Sequence, residues 1–171
     1  MNAVPQGGYL RFATTAFTSD INIWNNAAPT STVFSLGTSA ASNDVASHVA
    51  YCFAEIEGFS KFGSYTGNGS ADGPFVNLGF RPAFVMIKRV DSVGSWITYD
   101  AARSPTNVET LYLLPDLANA EATADGWDAT ANGFKLRQSN ITWNANGGTY
   151  IYAAFAEHPF GGSNVSPSTA R

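Results

Sequence analysis

The sequence of 171 residues predicts an all-β fold, a jelly-roll-like antiparallel β-sandwich in a single domain, from three observations. The strongest helix formers are scarce, with 8 leucines, 3 lysines and 5 glutamates in the chain. The apolar residues, 44% of the total, fall in short runs that alternate between two faces. Glycine, proline, asparagine and serine interrupt these runs about every ten residues, a spacing typical of sandwiches and barrels.

The clearest strand pattern covers residues 82–90, where Phe84 and Met86 would share one face and Val85 and Ile87 the other. The other predicted strands in the second half are 95–100, 110–114, 133–137 and 148–157. Those in the first half are 8–17, 32–36, 47–56 and 59–65. The alanine-rich stretch 115–124 predicts either a short helix capped by Asp116 or a loop turn.

The chain also resembles itself. Residues 24–36 resemble residues 127–136, because each stretch begins with tryptophan and ends in Phe-x-Leu. About one strand later, HVAYCFAE (48–55) matches YIYAAFAE (150–157) and ends in the same Phe-Ala-Glu. Large and small residues alternate in both copies, so each copy is expected to be a strand with one small-residue face. The two matches together indicate a partial internal repeat.

The repeat suggests how the chain is organised. The predicted parts are an N-terminal arm (1–8), a β-sandwich domain (9–160) made of a partial repeat (9–59) and a complete repeat unit (60–160), and a C-terminal tail (161–171). Half a unit cannot bury its own apolar face, so the partial repeat is expected to pack against the complete unit or another chain. Cys52 aligns with a small residue in the second copy, and we expect it to be buried.

Composition excludes several classes of partner. Charged residues make up 13% of the chain, roughly half the usual share, and serine, threonine and asparagine fill 45 positions. The net charge of −4 argues against nucleic acid and against anionic membrane surfaces, which attract basic patches. No apolar run is long enough for membrane insertion. The start of the sequence has no secretory pattern, which predicts synthesis in a cytoplasm.

Few residues suit catalysis or metal binding. Glu55 and Glu57 would share a strand face as a carboxylate pair, but we interpret them as a solvated strand end. His48 and His158 are the only histidines, which is little material for a catalytic triad or a histidine metal site. Residues 68–73 imitate the start of a calcium loop but lack its final glutamate, so a turn is the default interpretation. We expect no catalytic residue, no metal and no cofactor.

The tryptophans offer one candidate contact site. Trp143 lies in the amide-rich stretch 140–146, and an exposed indole there, with Asn144 and Asn146, is the best candidate for a ligand or glycan contact. The other tryptophans are expected in the core: Trp24, Trp96 and Trp127.

The central stretch FSKFGSYTGNGSADGPFVNLGFRPAFVMIKRVDSVGSWITYDAAR (59–103) resembles a β-rich domain that recurs in virion structural proteins of tailed bacteriophages. Residues 148–162 and 49–59 resemble the same family. Its members include tail-fibre and head-attached proteins, often beside lectin-like modules. The resemblance implies a virion component, and the family offers no established catalytic residues to carry over.

We therefore expect a non-enzymatic structural protein of a phage virion, either a capsid decoration or cement protein or a tail-associated component. Its expected partners are other capsid or tail subunits and further copies of itself, a homo-oligomer in which a terminal arm joins an intersubunit contact. The alternative is a receptor- or glycan-binding module of a tail fibre, which would bind a host surface glycan. The expected location is the virion, after synthesis in the host cytoplasm.

Overall fold

A computed structural model describes residues 7–160 and shows a chain built almost wholly from β-strands. The elements are β1 (Gly8–Tyr9), β2 (Thr18–Ser19), β3 (Ser60–Thr66), β4 (Phe75–Asn77), β5 (Pro82–Arg89), β6 (Trp96–Asp100), β7 (Glu109–Leu113), β8 (Ala122–Thr130), β9 (Gly133–Leu136), the helical turn α1 (Ile141–Asn144) and β10 (Thr149–Ala156). The all-β prediction is confirmed. None of the helices in this part of the chain has the length and apolar character needed to cross a bilayer.

Eight strands form one antiparallel sheet in the order β3-β10-β5-β6-β7-β8-β9-β4. The sheet curls into a nearly closed barrel whose two edges are β3 and β4. Phe134 of β9 contacts Tyr65 of β3 and Tyr152 of β10 across the interior, with ring centroids 6.2 and 5.7 Å apart. Because all eight strands belong to one continuous sheet, the jelly-roll arrangement is not confirmed.

The core fills the barrel and follows the predicted alternation. On β5, Val85 and Ile87 point inward and are buried, while Phe84 and Met86 lie on the outer face and are half-buried. Trp127, expected in the core, has no exposed surface. The aromatic side chains of the core are Tyr65, Phe80, Tyr99, Trp127, Phe134, Trp143, Tyr150 and Tyr152.

The sequence analysis predicted none of three strands, β2, β4 and β8. Of the two alternatives for 115–124, the helix is absent and the loop turn is observed at the start of the stretch; its last residues open β8. β8 combines alanine, threonine, aspartate and glycine and has little apolar alternation of its own, so its pairing with β7 and β9 decides its conformation. Gly126 faces the phenol of Tyr99, and a Cβ there would lie 1.8 Å from the Tyr99 hydroxyl oxygen.

The partial repeat does not form the predicted strands. Of the stretch 8–17, only Gly8–Tyr9 is a strand, and the expected strands 32–36 and 47–56 are wrong. Cys52, expected to be buried, is exposed. A β-strand needs a neighbour for its backbone groups, and residues 47–56 have none beyond a single bridge from Ile56 to Ser60. Most of the expected arm and tail, residues 1–6 and 161–171, lies outside the described residues.

The first residues that the structure describes run along the outer surface, beside the connection from β5 to β6. The amide of Gly94 donates to the Thr14 carbonyl (2.8 Å), and Trp96 Nε1 donates to the Arg11 carbonyl (2.9 Å). Trp96 therefore faces outward and is half-buried, so its expected place in the core is wrong. Trp24 is also only half-buried, and its indole donates to the Gly8 carbonyl.

Candidate functional site

Trp143, the predicted contact residue, is a core residue. Its side chain is 2% exposed and packs edge-on against the rings of Tyr99 and Tyr112, at centroid distances of 6.3 and 5.6 Å. The turn α1 directs the indole into the barrel, and the Asn140 side chain caps this turn by accepting from the Thr142 amide. The expectation of an exposed indole is wrong, because polar neighbours in sequence do not fix which way a helical turn faces.

Asn144 is also buried, with no exposed surface. Its amide nitrogen donates to Asn68 Oδ1 (3.2 Å) and to the carbonyls of Ser70 (2.8 Å) and Gln138 (2.9 Å). Its amide oxygen accepts from the Asn68 backbone (2.8 Å). Asn144 therefore fixes the loop between β3 and β4 and cannot meet a ligand. Of the three candidates only Asn146 is exposed, beside Gly69, and its contact role stays a prediction.

The calcium-like loop holds an ion pair instead of a ligand cage. Asp72 Oδ1 lies 2.6 Å from Lys135 Nζ, and this contact lowers the pKa of the Asp72 carboxyl. Among the side chains that the structure describes, no three acidic, histidine or cysteine groups converge as metal ligands. Glu55 and Glu57 are both exposed and lie outside any strand, so the expected strand-face pair does not form.

Glu109 at the start of β7 is a buried carboxyl that the sequence analysis missed. It has no exposed surface, and neither carboxyl oxygen has a hydrogen-bond partner among the described residues. Burial raises its pKa to about 7, with Arg81 opposing the shift and Asp100 reinforcing it. The one sequence signal was a lone glutamate directly before an apolar run. Because the barrel encloses this group, it bears on stability rather than on substrate.

The most distinctive surface is a cluster of aromatic rings on the outside of the barrel. We call it the phenylalanine patch, and it consists of Phe53, Phe59, Phe62, Phe84, Phe155 and Phe160. Phe62, Phe155 and Phe84 stand on the adjacent strands β3, β10 and β5. The cluster was not predicted; the sequence analysis placed Phe84 and Met86 on the face of 82–90 opposite Val85 and Ile87 and drew nothing further from it.

Phe155 is the centre of the phenylalanine patch. Its ring lies 5.9–6.2 Å from the rings of four other members, in tilted or edge-on contacts. Phe53 and Phe160 close the patch at its border and are 69% and 84% exposed. Two residues after Phe155, Glu157 Oε2 forms an ion pair with Arg81 Nε (2.8 Å). A contiguous apolar surface of this kind is typical of a protein contact.

A second surface feature is an open cleft of about 580 Å³ beside Trp143. Its lining combines hydroxyl and amide groups with apolar side chains: Thr14, Ser95, Asn140 and Thr142 on the polar side, and Val93, Ile97, Tyr112, Leu114 and Ile141 on the apolar side. No charged residue lines it. The volume falls within the usual range for small-molecule sites, and the uncharged lining suits a neutral polar ligand.

Comparison with known proteins places this fold and its surfaces in a family whose function is not known. No curated protein and no solved structure gives a significant match to the chain. One family model, described as a domain of unknown function (DUF7483), matches residues 3–159. This match covers the barrel, the preceding partial repeat and every member of the phenylalanine patch except Phe160. The chain therefore belongs to the DUF7483 family.

Proposed function

We propose that the chain is a non-enzymatic structural protein of a phage virion, and that it binds neighbouring virion subunits through the phenylalanine patch. The observation that carries the proposal is the patch itself, which leaves Phe53 and Phe160 largely in water. Covering a large apolar side chain releases about 1.5–3 kcal/mol, so a subunit seated on the patch is held by the hydrophobic effect.

Composition and the resemblance of residues 59–103 to phage virion domains support the same role. A surface with few charges causes little charge repulsion when copies of the protein pack closely in a particle. Among the described residues, the one carboxyl with a strongly raised pKa is that of Glu109, which the barrel encloses and which is not placed to act on a substrate. The phage setting itself rests on the sequence resemblance.

Purified particles of the encoding phage test the proposal. We expect mass spectrometry to find the chain in a fixed copy number per particle, and cryo-electron microscopy to place the patch against a neighbouring subunit. Phe62→Ser and Phe84→Ser should lower incorporation, while Phe75→Ser, which alters a 46% exposed ring on β4 outside the patch, should not. Absence from the particle, or equal incorporation of all variants, would contradict the proposal.

The second candidate is a glycan-binding module of a tail fibre, and the cleft beside Trp143 favours it. Hydroxyl and amide groups above an apolar floor match the hydroxyls and ring faces of a neutral sugar. A glycan array probed with the intact protein tests this candidate. If Tyr112→Ala abolishes glycan binding and Asn146→Ala preserves it, the cleft is the binding site. If Asn146→Ala abolishes binding and Tyr112→Ala preserves it, the binding site is the loop at Asn146.

A further inference from the structure

Residues 48–55 have the sequence of a central strand but none of its pairing. Their match in the repeat is β10, which pairs with β3 along one edge and with β5 along the other. Among the hydrogen bonds of residues 7–160, none uses a backbone amide of 48–55. The large side chains of this stretch lie in water, with Val49 78% and Tyr51 83% exposed.

The two faces of the stretch correspond to the two faces of β10. The inward residues of β10 are Tyr150, Tyr152, Ala154 and Ala156, and they align with His48, Ala50, Cys52 and Ala54. The outward residues Ile151 and Phe155 align with Val49 and Phe53. As a β10-type strand, the stretch would therefore place its small side chains inside a barrel and its large ones outside.

The rest of the partial repeat is exposed in the same way. Trp127, Phe134 and Leu136 of the complete unit have no exposed surface. Of their counterparts, Trp24 is half-buried, and Phe34 and Leu36 are each 43% exposed. Side chains that fill the core in one copy thus lie open in the other, which points to a missing set of partner strands.

This chain does not supply those partners itself. The edges of β3 and β5 that would receive a β10-type strand are already occupied by β10. The free edge of β3 does not fit either. Extending the bridge from Ile56 to Ser60 would pair Ala54 with Phe62, and Phe53 would then turn toward the interior. Phe53 instead contacts Phe62 and Phe155 on the outer face.

We propose that residues 48–55 bind another unit of the same family and form its middle strand between a β3-type and a β5-type strand. The partner is a polypeptide stretch homologous to residues 59–111, whose slot for this strand is empty. Its backbone would satisfy both edges of 48–55, and the apolar alternation would fix the register. This pairing rests on the repeat and the backbone, and it is independent of the virion role.

Hydrogen exchange measured by mass spectrometry tests the pairing in an extended chain. The extension is a second copy of residues 59–111 joined directly to residue 9, because Tyr9-Leu10 aligns with Tyr112-Leu113 in the same spacing as the tryptophans. In the full chain alone, at low concentration, we expect residues 49–55 to exchange freely while β10 is protected. In the extended chain, we expect their exchange to slow by about 100-fold or more, toward that of β10.

A proline pair provides the matched control. Cys52→Pro removes a backbone donor at the centre of the stretch and should abolish the new protection, whereas Val45→Pro, outside the stretch, should preserve it. Unchanged fast exchange of 49–55 in the extended chain would overturn the proposal. Protection in the monomeric full chain would also overturn it, since the chain would then cover its own strand. If residues 49–55 become protected only when the full chain is concentrated, a second copy of the chain is the partner, and the proposed partner with an empty slot is overturned.

Discussion

Glu109 makes the stability of this protein depend on pH. An unpaired carboxyl without exposed surface resists ionisation, and burial raises its pKa from 4.5 to about 7. In the unfolded chain the same group ionises near pH 4.5. Between these values folding takes up a proton, so the free energy of unfolding falls as the pH rises. Each pKa unit corresponds to 1.36 kcal/mol, which gives a loss of about 3 kcal/mol between pH 4.5 and pH 8.

Replacing Glu109 with glutamine removes the titration and keeps the side-chain shape. Urea unfolding followed by tryptophan fluorescence at pH 4.5 and pH 8 measures the effect, because the difference between the two pH values does not depend on what glutamine itself costs. We expect the loss of stability on going to pH 8 to shrink by about 3 kcal/mol in Glu109→Gln. Glu55→Gln, which changes an exposed carboxyl, should leave the loss as it is.

The result that refutes this reasoning is equal pH dependence in the wild type and in Glu109→Gln. It would mean that Glu109 stays ionised in the folded state near neutral pH, with Arg81 compensating the burial. A parallel change in Glu55→Gln would instead assign the pH dependence to a general effect of net charge.

Three further predictions concern packing. Trp143→Ala should lower the free energy of unfolding by about 3–5 kcal/mol, because it leaves a cavity in the core. An unchanged melting temperature would mean that the indole is exposed instead. Asn144→Ala should cost about 3 kcal/mol through buried groups left unpaired, while Asn146→Ala should change stability by less than about 0.5 kcal/mol. Gly126→Ala should lower the free energy of unfolding by about 1–3 kcal/mol or more, because the added Cβ meets Tyr99. Gly94→Ala is the control in the same thermal-melting measurement, because a Cβ added there would lie 3.8 Å from its nearest neighbour.

The sequence by itself determined the strands whose pattern is strong. Residues 82–90 were predicted to be a strand in which Val85 and Ile87 share the face opposite Phe84 and Met86, and the structure has Val85 and Ile87 together in the interior. The sequence likewise predicted Trp127 in the core, where it has no exposed surface. Local alternation and the scarcity of helix formers carry this information, since both act within a few residues of chain.

Tertiary structure decided what depends on neighbours far apart in sequence. The repeat predicted a strand at 48–55, but a strand forms only where another offers its backbone, and the edges of β3 and β5 were already taken by β10. Trp143 was placed outside because its neighbours are polar, yet the turn α1 points it into the barrel. The phenylalanine patch exists only because Phe62, Phe84 and Phe155 meet on adjacent strands, where the other members of the patch join them. Sequence periodicity assigns a side chain to a face, and only the pairing of strands decides what that face meets.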